Sequence, residues 1–269
     1  MEYRGVRIVL KRDDLINPEL PGNKWRKLKY NLVAAREQQA SMLLTFGGAY
    51  SNHIRATAAA GRIHGFRTVG VIRGEAHDPL NESLAAAVGN GMQLAYLDRS
   101  TYRGKTDPAV LARLRHRFGE FYLLPEGGSN ALAVKGCREI VPEIEDDFDV
   151  ICCPVGTGGT LAGIAASLPP GKRAIGFSAL RGGAGFLPAE VRRLQGADVT
   201  DNFTIVDDYV FGGFARRNDD LDSFIAAFRE VHGLDLEWVY VAKMLYGIHA
   251  LVANGTFPSG STVVAVITG

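Results

Sequence analysis

Three glycine-flanked segments hold the residues with chemical capacity. The first, Gly22-Asn23-Lys24-Trp25-Arg26-Lys27-Leu28, sets a lysine at the opening of an expected helix, just after a Pro-Gly loop. Unsatisfied backbone N–H groups at a helix mouth favour a neutral amine over an ammonium. A neutral amine is what Schiff-base formation requires. The plainer reading of the same segment is a basic first turn on a solvated face, and Trp25, Arg26 and Lys27 are assigned to it. The second segment, Val155-Gly156-Thr157-Gly158-Gly159-Thr160, lies between an expected strand and an expected helix. Its glycines let backbone approach an anion, and helix-opening N–H groups with two threonine hydroxyls can satisfy phosphate oxygens. A tight turn that binds nothing is the alternative. The spacing is not the dinucleotide fingerprint, and no lysine follows as in a nucleotide-triphosphate loop. The third segment, Gly47-Gly48-Ala49-Tyr50-Ser51-Asn52-His53, is again a strand-to-helix junction. Its helix N-terminus could hold a substrate carboxylate, with Ser51 and Asn52 adding side-chain bonds. Ser or Asn there is equally the ordinary cap of a helix, and a single histidine such as His53 is more often structural than a base.

The elements that must position these residues alternate for most of the chain. Val6–Lys11 reads as a strand, and Asn23 as the cap of a helix to about Gln39, with Leu28, Leu32 and Ala35 at helical spacing. Strands at Met42–Phe46, Thr68–Arg73, Met92–Leu97 and Phe121–Leu124 follow, joined by helices at Ser51–His64, Asn81–Asn90 and Pro108–Phe118. Such alternation implies right-handed crossovers and a parallel sheet. A second set comprises helix Ala133–Ile144, strand Val150–Pro154, helix Gly158–Ser167, strand Ala174–Ala179, helix Ala184–Leu194 and strand Phe203–Val206. Helices near Asp219–His232 and Val241–Asn254 and strand Thr262–Ile267 complete it. Pro125-Glu126-Gly127-Gly128 is the best hinge between the two sheets. The fold class is therefore α/β with two lobes, and a cleft between lobes is a common ligand site.

Composition narrows the function classes. The 269 residues, 46% hydrophobic and 22% charged, suit a globular fold with a full core. A net charge of +1 offers no broad field for nucleic acid or an anionic membrane, so any anion affinity must be local. No apolar run reaches the length of a membrane span, and Met1-Glu2-Tyr3-Arg4 lacks a signal peptide's apolar segment. Cys137, Cys152 and Cys153, an odd count with an adjacent pair in an apolar stretch, read as reduced, buried thiols of a cytoplasmic protein with no metal site.

Taken together, the segments resemble the 1-aminocyclopropane-1-carboxylate (ACC) deaminase / D-cysteine desulfhydrase family, within the tryptophan-synthase-β-like enzymes that use pyridoxal 5′-phosphate (PLP). The resemblance runs through Lys11-Arg12-Asp13-Asp14-Leu15, Gly22–Leu28, Ser51-Asn52-His53-Ile54-Arg55 and Leu124-Pro125-Glu126-Gly127-Gly128-Ser129-Asn130. It continues through the 156–160 loop, Val239-Tyr240 with Lys243, and Thr268-Gly269. It implies a fold type II, two-lobed enzyme, a lyase or hydrolase in class. The larger cofactor-binding lobe would be 1–38 plus 126–269 and a smaller inserted lobe 39–125. Lys24 would be the Schiff-base lysine, and Asn52 would bond the ring's 3′ oxygen. Gly156, Thr157, Gly158, Gly159 and Thr160 would cradle the phosphate. Tyr240 would stack near the cofactor, and Thr268 would face the pyridine nitrogen. Ser51, Asn52 and His53 would meet the substrate, Ser51 as a carboxylate ligand or a nucleophile. A homodimer acting on a small amino acid is the implied assembly.

Departures from the family pattern set the expected reaction. ACC deaminases usually carry glutamate after the tyrosine matched by Tyr240, where this chain has Val241. They tend to have glutamine at His53 and leucine at Thr268, and on both positions the chain looks like the desulfhydrases. A second tyrosine is matched by Phe214, and the chain starts later and ends earlier than typical members. A neutral Thr268 hydroxyl would hold the pyridine nitrogen less firmly protonated than a carboxylate, giving a weaker electron sink. Such a site suits a good leaving group on Cβ, with freed Lys24 as base at Cα. The expectation is D-cysteine desulfhydrase-type β-elimination to pyruvate, ammonia and sulfide, with ACC deamination to 2-oxobutanoate and ammonia second. Serine or threonine dehydration, a catalytically degenerate PLP-binding relative and a nucleotide-binding protein rank behind.

Overall fold

A computed structural model describes residues 1–269 apart from Pro18, Pro21 and His77. Pro21, of the Pro-Gly pair ahead of Lys24, and His77 therefore lie outside the described residues. The first half runs β1 (Glu2–Tyr3), β2 (Val6–Arg12), α1 (Asn23–Glu37), β3 (Met42–Gly47), α2 (Asn52–His64) and β4 (Arg67–Arg73). It continues with α3 (Glu82–Gly89), β5 (Gln93–Leu97), α4 (Arg99–Arg103), α5 (Pro108–Phe118) and β6 (Tyr122–Leu124). The second half runs α6 (Ala131–Cys137), β7 (Val150–Val155), α7 (Gly159–Ala165), β8 (Arg173–Ser178) and α8 (Gly183–Gln195). It ends with β9 (Phe203–Val206), α9 (Asp219–His232), α10 (Val241–Ala253) and β10 (Thr262–Ile267).

The strands form two sheets, as the alternation predicts. One has the order β5-β4-β3-β6 and is parallel throughout. The other has the order β1-β2-β10-β7-β8-β9 and is parallel except for the short β1–β2 pair. Every residue of β3 and β7 is buried. Strands covered by helices on both faces need near-continuous apolar runs, which Met42–Phe46 and Val150–Val155 supply.

Side chains alternate across each strand, so neighbours feed different cores. On β3, Leu44 and Phe46 pack with Tyr102, Val110 and Leu114 of α4 and α5. Leu43 packs the other way, with Leu28, Leu32 and Ala35 of α1 and Ala56 and Ala60 of α2. The helix that carries Lys24 thus lays its apolar stripe on the smaller sheet, while Gly136 of α6 lies so close to Arg26 that a Cβ would run into the Arg26 carbonyl. α1 is the wedge between the two sheets. In the larger sheet, Ile151, Cys153 and Val264 face α6, α7 and α8, and Cys152, Val263 and Ala265 face α9 and α10. All three cysteines are buried and unpaired.

Three expectations need correction. Asn23 is not a cap: Gly22 occupies the N-cap position, and Asn23 is the first helical residue, with its amide spent elsewhere. Gly22 is obligatory there, at φ +67°, because a Cβ would run into the Thr268 carbonyl. The Ala133–Ile144 helix is α6 alone, ending at Cys137 and continuing as i→i−3 turns through Ile140 and Ile144. Pro142, without an N–H and hostile to helix before it, forbids continuation. The five-residue α4 was not expected, although Asp98 caps it by accepting from the Ser100 and Thr101 amides. No helix among the described residues is long and apolar enough to cross a membrane.

Candidate active site

A cavity of about 730 Å³ opens where the carboxyl ends of both sheets face each other. Lys24, Ser51, Asn52, His53, Gly156, Thr157, Gly158, Thr160, Tyr240 and Thr268 all line it. Carboxyl ends of parallel strands are where open α/β sheets hold ligands, because helix N-termini converge there. Gly159, the remaining expected residue, lies just behind the lining, against Ser129 and Lys27.

Lys24 sits in the first turn of α1, and its Nζ donates to Asn23 Oδ1 at 2.6 Å. The Asn23 amide in turn donates to Thr160 Oγ1 at 2.7 Å, tying the start of α1 to the start of α7. The amine's pKa is lowered from 10.5 to about 7, first by burial and then by the charge of neighbouring Lys27. The neutral amine expected from the sequence is thus favoured, although desolvation and a second lysine do more than the helix mouth.

Arg26 and Lys27 do not form a solvated basic turn. Arg26 is 2% exposed and holds Asp13, itself fully buried, through Nε at 2.6 Å and Nη2 at 2.9 Å. It also reaches Glu143 at 2.6 Å, which receives Lys11 at 2.8 Å. Four charges therefore bolt the turn before α1 to the segment after α6. Lys27 is buried, and its Nζ donates to Gly127 O at 3.0 Å and Ser129 Oγ at 3.2 Å. Burial depresses its pKa. Its place was readable: three residues after Lys24 on a helix lies on the same face.

The 156–160 loop leans on that ammonium. A Cβ on Gly159 would lie 2.6 Å from Ser129 Oγ and 3.2 Å from Lys27 Nζ. Glycine alone allows the loop this seat. Gly158 has φ +82°, and Ser129 and Thr157 hydroxyls bond each other at 2.6 Å. A buried cation whose bonded partners are a carbonyl and a hydroxyl, beneath a glycine turn that opens a helix, fits a phosphate dianion. The neighbouring neutral amine fits the aldehyde that PLP carries.

On the other wall, Ser51 caps α2, accepting from the Ile54 amide at a long 3.4 Å. Ser51 is thus the ordinary cap of a helix, and it also lines the cleft. His53 is 1% exposed, with Nε2 at 2.9 Å from Thr45 Oγ1, whose hydroxyl proton goes to Leu124 O at 3.0 Å. Nε2 therefore carries the hydrogen, and Nδ1 is a buried acceptor with no partner among the described residues. Burial and the charges of Lys27 and Lys24 push its pKa well below 6.5, so the ring is neutral.

Tyr240 closes the far end. Its hydroxyl would stand 3.1 Å from a Cβ on Gly156, and Phe214 meets its ring edge-on at 5.9 Å. Burial raises the phenol's pKa, keeping it protonated. Glu237, not expected from the sequence, accepts the Val239 and Tyr240 amides at 2.8 Å each and so fixes the entry into α10. Thr268 is 3% exposed, beside Gly22. Val241 points into the core of α9 and α10, away from the cleft.

Known proteins resemble this chain along its length. Residues 2–269 match the family described as pyridoxal-phosphate dependent enzyme. A Thermotoga maritima protein provisionally named 1-aminocyclopropane-1-carboxylate deaminase is 32% identical, over 94% of this chain and 86% of its own. A D-cysteine desulfhydrase of Klebsiella pneumoniae is 28% identical, over all of this chain and 88% of its own. A crystal structure of an ACC deaminase homologue superposes with TM-score 0.83 at 27% identity, covering 97% of this chain and 84% of that one. With a glycine turn seated on buried Lys27 and Lys24 beside it in the same helix turn, the chain belongs to the pyridoxal-phosphate-dependent enzymes of fold type II, in the family of ACC deaminase and D-cysteine desulfhydrase.

Proposed function

We propose that the enzyme eliminates a leaving group from Cβ of a small amino acid, with D-cysteine giving pyruvate, ammonia and sulfide. One observation carries this reading. The carboxylates lining the cleft are Glu126 and Glu190, and both are taken. Glu126 accepts from the Tyr102 hydroxyl at 2.9 Å and pairs with Lys105 at 3.1 Å, and Glu190 receives Arg193 through both oxygens. No free carboxylate faces the cleft among the described residues, and the family's glutamate position is buried Val241.

Bound PLP supplies the sink that lets negative charge form at Cα. Lys24 would hold it covalently, and the Lys24 amine would take the Cα proton; a pKa of about 7 suits both roles. Lys27 and the amides of Gly156 to Thr160 hold the phosphate. Asn52 would help hold the cofactor, and Ser51 with the α2 amides would hold the substrate carboxylate. Tyr240 would flank the cofactor, and a neutral Thr268 hydroxyl in place of a carboxylate would moderate the sink, which would favour substrates whose Cβ bond breaks easily. The lobe division at 39–125, a homodimer, and a reducing cytoplasmic setting that suits three buried unpaired thiols belong to the same reading.

ACC ring opening is the second reading, favoured by the names borne by two matched proteins. The test is product release by the PLP-loaded enzyme from D-cysteine, L-cysteine and ACC. Pyruvate and sulfide from D-cysteine are expected; 2-oxobutanoate from ACC with no turnover of D-cysteine would reverse the order.

A further inference from the structure

We infer that Arg73 is a specificity-determining residue that gives the cleft a preference for amino acids carrying a second acidic group at the end of the side chain over their neutral isosteres. The inference rests on the proposed function and adds a second substrate class to D-cysteine. Arg73 is the last residue of β4, at the carboxyl end of the smaller sheet, and it lines the cleft. Its Nη2 lies 3.9 Å from where a Cβ on Gly48 would stand, so the guanidinium hangs over the turn leading to Ser51.

Charge accounting in the cleft singles this residue out. Lys105 is paired with Glu126, and Arg193 with Glu190. Lys27 lies beneath the phosphate loop, and Lys24 is favoured as a neutral amine. The substrate's α-carboxylate has the Ser51 hydroxyl and the open amides of the first turn of α2. Arg73 is exposed at the rim of the cleft and makes no ion pair or side-chain hydrogen bond with the described residues, and Asn81 already holds the adjoining loop by donating to Ala49 O at 3.1 Å. A guanidinium left over in a cleft, with five donors in a planar fork, fits one more carboxylate, sulfonate or sulfate ester.

The test compares charged and neutral isosteres. The PLP-loaded protein is titrated with aspartate and asparagine, and with glutamate and glutamine, each as both enantiomers, following the cofactor's visible absorption and binding heat. Acid should bind about fivefold tighter than amide in at least one pair, the scale of a part-exposed ion pair. Arg73→Gln should bring that ratio to about one, and Arg73→Lys should keep part of it. Equal binding of acid and amide by the unaltered protein overturns the inference. So does an Arg73→Gln variant that loses affinity for alanine as much as for aspartate, which would put the guanidinium on the α-carboxylate. In either case turnover of D-cysteine leaves the proposed function standing, whereas a cofactor band that no amino acid perturbs removes both.

Discussion

Replacing Lys27 by methionine should leave the apoprotein almost unchanged and cripple its hold on PLP. The ammonium is buried, with bonds to Gly127 O and Ser129 Oγ and to no carboxylate among the described residues. Removing an unpaired buried charge relieves desolvation, while stranding the Gly127 carbonyl costs about 1–3 kcal/mol. The opposing effects leave apoprotein stability within about 1 kcal/mol of the original, a shift of roughly 2–4 °C in melting temperature. Methionine keeps the volume and the unbranched stem, so packing adds little. The loaded protein loses the charged partner of a phosphate. Truncating one side of a buried charged pair costs about 2–5 kcal/mol, or at least roughly thirtyfold in PLP affinity. Thermal melts across a PLP series measure both quantities, and the stabilisation by PLP should shrink by at least about 4–8 °C. A third signature concerns Lys24. Losing the neighbouring positive charge should raise its pKa above about 7, yet keep it below 10.5, because burial is the larger cause. A variant that melts far lower as apoprotein but binds PLP normally would show Lys27 to be structural, and the phosphate assignment would fall.

Two further perturbations follow from the same geometry. Arg26→Met strands fully buried Asp13 with Lys11 alone, 3.2 Å away, and should cost about 3–5 kcal/mol in urea denaturation; a loss under 1 kcal/mol would mean the network is idle. The rate at which PLP adds to Lys24, trapped with borohydride and read by peptide mass, should rise as pH passes through about 7. Apoprotein stability should rise with pH from about 7 to about 9, since the unfolded lysine keeps a proton that the folded one has released; above that the three buried thiols, whose pKa values burial raises, pull the other way. Lys243, lowered to about 8 by burial, pushes the same way, and a melting temperature that falls over this range would contradict both shifts.

Much of this was legible because local chemistry and tertiary structure agree. The Leu28, Leu32 and Ala35 spacing names the face that α1 buries, and the Ser51 cap marks a real helix start. The glycine turn at 156–160 is the expected strand-to-helix junction, between β7 and α7. What escaped was set by docking between distant segments. Arg26 and Lys27 read as surface residues because long cations are rarely buried; their surroundings come from Asp13, Ser129 and Glu143, up to 117 residues away. Asn23 has a capping side chain, but Thr160, 137 residues on, claims it. Glu237 fixes Tyr240 through two amides, which no side-chain pattern announces. Arg73 ends a strand like any solvated arginine, and only the opposing wall makes it part of a cleft.

The position of β10 bears on how the molecule is made. Thr262–Ile267 lies between β2 and β7, so the strand that follows all others in sequence fills the middle of the larger sheet. The smaller sheet uses only strands within residues 42–124 and can pair while a ribosome is still adding the rest. The larger one must close a loop of some 250 residues before β2 gains its inner neighbour, a slow kind of step. Thr268, directly after that strand, arrives with it, so a growing chain acquires this wall of the cleft around Lys24 only once β10 has been made.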